Sequence, residues 1–368
     1  MTNTTNLRPA ELVAKYLETD FKSSPASAGS RLPTIQELAK RVGVSPSTVR
    51  SVYREMAAQG KIEASRGRGT FLKNSELEAR RMNIAVNLAP LEENDPGAPW
   101  SESIYIGAVR EAAKTSRLLS FVPVAAGMSS ENRTSAITDS LLSDINHLDG
   151  AILFPIATAD QIREQFEKAR KPIISINAPS WSSTINFVST DFFGDYLRLG
   201  SWLRKSGKLR PLILLSEPVE RYVSHQLLVA GLLAGFNTAG TKTPDIRIEI
   251  ADGGSSDDGY QKARRHVSRA NDMPDVIICS GDYLAIGVLA ACKEVGLRAP
   301  DDIEVCGGTG LDSTASNNPE ITLLRQPLEM IGQAAVQMLT RRLTTGSASQ
   351  PGIYLNSTLQ RFQNPITF

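Results

Sequence analysis

The sequence predicts an α/β protein with parallel sheets, preceded by a small winged helix-turn-helix unit. Three observations carry this. Residues 31–73 hold two short helical patterns either side of Gly43, then a Gly/Arg-rich turn between two apolar patches. From Asn83 onward, near-continuous apolar runs alternate with helical stretches, the pattern of parallel strands covered on both faces. The charge is also divided. Residues 1–80 carry 13 Lys/Arg and 8 Asp/Glu, a net of +5, and the remainder carries 27 and 31, a net of −4. Positive charge gathers where phosphate contacts would be made.

In the N-terminal unit, residues 8–22 read as an amphipathic helix with Leu12, Val13, Tyr16 and Leu17 on one face. Residues 23–30 (SSPASAGS) read as a loop. Pro33 suits the first turn of a helix, and Thr34 with Glu37 has capping-box spacing. Ile35, Leu38, Ala39 and Val42 recur at helical spacing, and Gly43 permits a tight turn. Ser45 and Pro46 read as N-cap and first residue of a second helix. Val49, Val52, Tyr53 and Met56 form its buried stripe, and Ser47, Thr48, Arg50, Ser51 and Arg54 lie opposite. Small polar residues backed by Arg at a helix start suit a major groove. Gly60 ends this helix. Lys61–Ala64 and Thr70–Leu72 read as strands, with Arg66-Gly67-Arg68-Gly69 as the tip of a wing.

Leu32-Pro33, Glu37-Leu38-Ala39, Gly43-Val44-Ser45, Thr48-Val49-Arg50 and Gly67-Arg68-Gly69-Thr70-Phe71 resemble the DNA-binding domain of GntR-family transcription regulators. The resemblance covers nearly all of residues 10–73. It implies a double-stranded DNA operator as partner, contacted by Thr34, Gln36, Ser45, Pro46, Ser47, Thr48, Arg50, Arg54, Arg66, Gly67, Arg68 and Gly69. Gln36 and Pro46 stand where the family often has Arg, so the operator sequence does not transfer from relatives.

Other readings are bounded by composition. With 41% hydrophobic residues the chain can bury large cores, and it contains no apolar run of membrane-spanning length. The polar N-terminus lacks a signal-peptide pattern. Cys279, Cys292 and Cys306 fit neither a disulfide framework nor a CxxC metal site. A cytoplasmic location without membrane contact is expected.

In the second half, strands are expected at Ile84–Ala89, Leu118–Val124, Gly150–Pro155, Pro172–Asn177, Phe187–Thr190, Pro211–Ser216, Ile246–Ala251, Val276–Ser280 and Ile303–Gly307. Helices are expected at Ser101–Ser116, Phe192–Lys205, Ser224–Ala239, Asp257–Ala270 and Tyr283–Val295. LDGAILFP (148–155), KPIISIN (171–177), VSTDFFGDYLRLGSWL (188–203), SGDYLAIGVLAACKEVGLRAPDDIEVCG (280–307) and ITLLRQPLEMIGQAAVQML (321–339) resemble the effector-binding domain of LacI/GalR-family regulators. That domain is itself similar to periplasmic sugar-binding proteins. A GntR-type reader on a LacI-type sensor resembles arabinose- and xylose-responsive regulators.

The resemblance implies a DNA-binding domain at 1–74, a linker at 75–82 and an effector-binding and dimerisation domain at 83–368. The last would have one lobe of residues 83–187 plus 323–340 and another of 188–322 plus 341–368. It further implies a homodimeric repressor whose operator affinity is set by a small molecule, a carbohydrate or a derivative, in the cleft between lobes.

A sugar site needs an aromatic platform and polar side chains. Trp100 is expected as the platform, and Gln326 matches the family position where a Gln reaches the ligand from the hinge. Phe192 reads as packing or contact, and Arg221 and Tyr222 as cleft residues or a solvated loop. Asp282 reads as a ligand contact or a helix N-cap. Three positions depart from the family's polar set: Leu228 replaces Arg, Gly281 replaces Asn, and Thr309 replaces Asp, with Asp312 able to substitute. Effector identity therefore stays open, and a ligand-independent dimerisation domain is the alternative.

A nucleotide-dependent α/β enzyme is the remaining alternative. It finds no GxxxxGK[ST], no GxGxxG after the first strand and no GxSxG. His147, His225 and His266 are scattered. No enzyme activity, cofactor or metal is expected.

Overall fold

The computed structural model describes residues 9–10, 12–13, 16–17, 31–58, 62–65, 68–72, 82–87, 98–114, 118–122, 130–154, 160–178, 186–238, 244–267, 272–345, 352–361 and 364–366. The chain forms two compact units, one built on residues 1–82 and one holding nearly everything from Asn83 on.

In the first unit, α1 (Ile35–Val42) and α2 (Pro46–Ala58) are followed by strands β1 (Ile62–Ser65) and β2 (Gly69–Leu72). The capping box forms: Thr34 Oγ1 accepts from Glu37 N at 3.3 Å, and Glu37 Oε2 accepts from Thr34 N at 2.8 Å. Thr34 is the N-cap, so Pro33 precedes the helix rather than opening it. Ser45 Oγ accepts from Thr48 N at 3.2 Å and caps α2. Val13, Leu17, Leu32, Leu38, Val49, Val52, Tyr53 and Ile62 share one core. β1 and β2 pair antiparallel, one residue later at Ser65 and one earlier at Gly69 than expected. The linker residues 75–81 and Gly60 lie outside the described residues.

The second unit contains two sheets. The six-stranded one has the order β13-β7-β6-β5-β3-β4, with β3 at Asn83–Asn87, β4 at Leu118–Val122 and β5 at Gly150–Leu153. Its other members are β6 (Ile173–Ile176), β7 (Asn186–Thr190) and β13 (Ile353–Leu355). Helices α3 (Ala98–Lys114), α4 (Ser130–Ser143) and α5 (Asp160–Lys168) connect its strands. The seven-stranded sheet has the order β15-β14-β12-β11-β10-β8-β9. Its strands are β8 (Pro211–Leu215), β9 (Arg247–Ile250), β10 (Val276–Cys279), β11 (Glu304–Gly307), β12 (Thr322–Arg325), β14 (Thr358–Arg361) and β15 (Asn364–Pro365). The pairings from β9 to β12 are parallel, and β14 and β15 add antiparallel. Helices α6 (Phe192–Lys205), α7 (Val223–Phe236), α8 (Ser256–Val267), α9 (Asp282–Glu294), α10 (Asp312–Asn317) and α11 (Leu328–Thr345) complete the unit.

Alternation explains the apolar runs. On β8, Leu212 and Leu214 enter the core shared with Leu284 and Val288, whereas Ile213 and Leu215 enter the core shared with Leu199 and Leu232. Both faces are covered, so every residue of the strand is apolar. Fully burying each such side chain contributes about 1.5–3 kcal/mol.

All nine expected strands form, with ends shifted by a residue or two. The lobe division needs correction. Residues 323–325 belong to β12 of the second lobe's sheet, not the first lobe, and 353–355 form β13 of the first lobe's sheet, not the second. The chain thus crosses between lobes after β7, after β12 and after β13. Asp191 N donates to Leu355 O at 3.0 Å, and Ser357 N donates to Asp195 Oδ2 at 2.9 Å, tying two of these crossings together.

Candidate functional sites

The first site is the exposed face of the N-terminal unit. Burial of Val49, Val52 and Tyr53 fixes the rotation of α2. Ser47, Arg50, Ser51 and Arg54 are consequently exposed, and Thr48 is half-buried. Ser45, Ser47 and Thr48 form a hydroxyl cluster, with Ser45 Oγ 2.7 Å from Ser47 Oγ and 2.8 Å from Thr48 Oγ1. Gln36, Pro46 and Arg68 are exposed as well. Thr34 is exposed but spends its hydroxyl on the helix cap. Arg66 and Gly67 lie outside the described residues. Gly69 has a local reason to be glycine: its φ is +119°, and an added Cβ would stand 2.8 Å from Arg31 Nε. Tyr53 Oη donates to Pro33 O at 2.8 Å, anchoring α2 to the entry of α1. Burial raises the Tyr53 hydroxyl pKa to about 12, with a smaller contribution from Glu37.

The second site lies between the lobes, where the carboxyl ends of both sheets' strands meet, the usual ligand position in such sheets. Gln326, at the crossing after β12, is its centre and is only 9% exposed. Its Oε1 accepts from Trp100 Nε1 at 3.4 Å and from Thr190 Oγ1 at 3.1 Å. Its Nε2 donates to Gly308 O at 2.7 Å, and its backbone N donates to Thr309 O at 3.1 Å. One amide therefore joins Trp100 and Thr190, from the first lobe, to the loop after β11 in the second. Trp100 stands edge-on to Phe154, with ring centroids 5.5 Å apart.

Packing bears on two positions that the sequence left open. Phe192 is 7% exposed and belongs to the core around Tyr196 and Leu228, so it packs rather than faces a ligand. Asp282 is 1% exposed and is neither the N-cap, which is Gly281, nor open to a ligand. Its Oδ1 accepts from Thr309 N at 2.9 Å and Gly310 N at 3.1 Å, and its Oδ2 from Leu311 N at 2.7 Å. It pins the loop after β11. Burial pushes its carboxyl pKa up, against the opposing pull of these amides. Thr309 engages through its backbone in both bonds. Arg221 is exposed, pairs with Glu217 at 3.7 Å and stands over the Tyr222 ring at 5.9 Å. Tyr222 meets His225 edge-on at 5.5 Å. Asp312 is exposed and ion-paired with Arg325.

Sequence reasoning missed Asn177 and Asn87. Asn177 directly follows β6 at φ +48°, and its Oδ1 accepts from Thr190 N at 2.7 Å, while its buried Nδ2 has no hydrogen-bond partner among the described residues. Asn87 Oδ1 accepts from Phe154 N at 2.7 Å. A polar residue closing an otherwise apolar strand was the available signal. Among the described residues, no group of His, Cys, Asp or Glu is placed to hold a metal, and no helix is long and apolar enough to cross a membrane.

Residues 9–72 match the bacterial regulatory proteins of the gntR family, and residues 205–360 match the periplasmic binding protein-like domain. The chain joins a gntR-type DNA-binding region to a periplasmic-binding-protein-like domain. The HTH-type transcriptional repressor PurR of Erwinia tasmaniensis is 25% identical over 339 residues, covering 89% of this chain and 95% of the relative. The structure of the transcriptional regulator CelR in complex with cellobiose superposes with a TM-score of 0.63 at 19% identity, covering 90% of this chain and all of that one. The lac repressor dimer bound to operator and the anti-inducer ONPF superposes with a TM-score of 0.61 at 21% identity, covering 77% and 93%. The effector module thus has the LacI-type fold, and these relatives are transcription regulators, not enzymes.

Proposed function

We propose that this protein is a homodimeric, cytoplasmic transcription repressor whose operator affinity is set by a small molecule, a sugar or sugar derivative, bound between the lobes. One observation carries the reading of the cleft: the Gln326 amide links Trp100 and Thr190 on one side to Gly308 on the other. A ligand seated against Trp100 competes for those same polar atoms. It therefore interacts differently with alternative lobe arrangements, which is the condition for shifting between them. Arabinose and xylose are specific cases within this class.

On the DNA side, α2 enters a major groove with Ser47, Thr48 and Arg50, and Arg68 with its wing reaches phosphates or the neighbouring minor groove. Two readers of a dimer engage half-sites ~34–36 Å apart on a pseudo-palindromic operator. Replacing Arg50 with Ala weakens operator binding by about 1–3 kcal/mol and relaxes specificity at one base position if the contact is bidentate to a base. Fluorescence-anisotropy titration of the operator selected from random duplexes measures this. Unchanged affinity and selectivity would exclude Arg50 from the interface. For the cleft, mono- and disaccharides are screened by thermal shift on the wild type and on Trp100→Ala. A stabilising sugar indifferent to Trp100→Ala places the site elsewhere.

A further inference from the structure

The segment before α1 adds a cation to the wing that no sequence motif marked. Arg31 pairs with Phe71 of β2 through a single antiparallel bridge, and Leu32 N donates to Thr70 O at 2.8 Å. Phe71 also pairs with Glu63, so β2 runs between β1 and the bridge at Arg31. Residues directly opposite on antiparallel strands share a face, and so do positions two apart on one strand. Arg31, Phe71 and Gly69 therefore lie on one face, and Ile62, which enters the core, on the other. From the first face the Arg31 side chain runs back along β2 towards the wing tip. A Cβ added at Gly69 would stand 2.8 Å from Arg31 Nε and 3.5 Å from its Cζ and Nη2. Glycine at 69, at φ +119°, leaves open the slot that this guanidinium fills. The side chain is thereby held beside the residue that follows Arg68.

Its charge is uncommitted. In the effector unit, Arg198 pairs with Asp195, Arg247 with Asp272, Arg298 with Asp302 and Arg361 with Glu304. Arg31 is exposed and makes no ion pair or side-chain hydrogen bond among the described residues. The acid that feels it is Glu37. The Thr34 backbone bond holds the Glu37 carboxyl below its ordinary pKa, and Arg31 makes the smallest of the contributions. That carboxylate is spent on the helix cap, where its Oε2 accepts from Thr34 N at 2.8 Å. Arg31 thus stands near the first turn of α1, where Thr34 and Gln36 are exposed. A guanidinium placed by packing and left without an acid suits an anionic oxygen supplied from outside. Holding it in place beforehand reduces the entropy lost on binding.

We infer that Arg31 is a DNA-phosphate contact, held in the Gly69 slot so that its guanidinium grips the backbone beside the groove the wing enters. This rests on the reading of the N-terminal unit as a DNA reader. A phosphate contact fixes the register of the wing and carries no sequence information, so its loss weakens binding to every duplex alike.

Full-length wild type, Arg31→Gln and Arg31→Lys are titrated by fluorescence anisotropy with the duplex selected from random sequence and with a scrambled duplex of equal length. NaCl is varied from about 50 to about 200 mM, and losing one phosphate contact flattens the slope of log affinity against log salt by ~0.9. The advantage of the wild type over Arg31→Gln therefore shrinks about 3.5-fold across that range. It is the same on both duplexes, and Arg31→Lys keeps the wild-type slope. Partial unfolding of a variant lowers its active fraction but leaves the slope alone, so the slope separates charge from packing. An Arg31→Gln slope equal to that of the wild type overturns the inference, because Arg31 then only packs against Gly69. An Arg31→Lys slope as flat as that of Arg31→Gln overturns it too, as does a loss of affinity confined to the selected duplex, which marks a base contact. A wild type that binds neither duplex removes the DNA-reader reading and the inference with it. A wild type that binds both, with Arg31→Gln indistinguishable from it, overturns the inference alone.

Discussion

Replacing Gln326 with Met keeps the side-chain volume and removes the three side-chain hydrogen bonds that Gln326 makes at the interlobe junction. The bond to Gly308 O is short, at 2.7 Å, the one from Thr190 is 3.1 Å, and the one from Trp100 is 3.4 Å, near the limit of a useful bond. Taking ~1 kcal/mol net for each of the first two and ~0.5 for the third gives a loss of about 2.5 kcal/mol. An unfolding entropy of ~2.1 cal/mol/K per residue over roughly 280 residues amounts to ~0.6 kcal/mol/K, so the melting temperature falls by about 4 °C. The backbone bond from Gln326 N to Thr309 O survives, so the crossing itself stays in place. Because the lost bonds join opposite lobes, the same substitution also moves the effector concentration needed for operator release. Calorimetric melting of the full chain and operator titration with and without effector measure the two effects. A variant that melts within about 1 °C of the wild type and releases operator at an unchanged dose would show that the amide does not couple the lobes.

Three further outcomes follow from the geometry. Asp282→Ala orphans the amides of Thr309, Gly310 and Leu311 and costs about 3 kcal/mol or more; Asp282→Asn keeps an acceptor for two of them and costs less than half as much, as urea midpoints will show. Tyr53 has a folded pKa of about 12 against an ordinary 10.0, so its contribution is complete below pH ~10 and is lost as pH rises through 12, a total of up to about 2.5 kcal/mol. Tyr53→Phe removes that alkaline slope and weakens the unit by ~1 kcal/mol at neutral pH through the lost Pro33 bond; an unchanged slope in alkaline melts contradicts the assignment. At Gly332 an added Cβ would stand 1.9 Å from Ile104 O, so Gly332→Ala forces α3 and α11 apart at a cost of about 1–3 kcal/mol in denaturant titration.

The N-terminal unit was legible because its signals are local. The Thr34–Glu37 box, the turn at Gly43 and the Ser45 cap each depend on residues within a few positions. The inner strands were legible for a related reason, since burial on both faces leaves a continuous run such as Pro211–Leu215; β9 at the sheet edge differs, its Ile248 and Ile250 being exposed and alternating with Arg247 and Glu249. Lobe membership was not. Nothing in Ile353–Leu355 says that it pairs with β7 more than 160 residues earlier, because register between distant strands is a property of the assembled sheet. The cleft was read in part. Trp100 and Gln326 meet, but the hydrogen bonds that occupy Gln326 come from Thr190 and Gly308, which carry no sequence signal. Asp282 was ambiguous for a physical reason: an acid at a helix start serves its own helix, a ligand or a neighbouring loop with equal chemistry, and only the position of residues 309–311 decides.

The pairing of β13 with β7 has a consequence for how the protein is made. On the ribosome, β3 to β7 emerge early, yet the strand that covers the outer side of β7 arrives only with residues 353–355, more than 160 residues after it. Until then β7 presents an open row of backbone donors and acceptors, the template for mispairing with another nascent chain. Neither lobe is one continuous stretch of sequence, so neither can finish folding before the other is nearly synthesised. Truncation before Ile353 should therefore unsettle the first lobe as much as the second, and chaperone demand during translation should fall sharply only once β13 has been released.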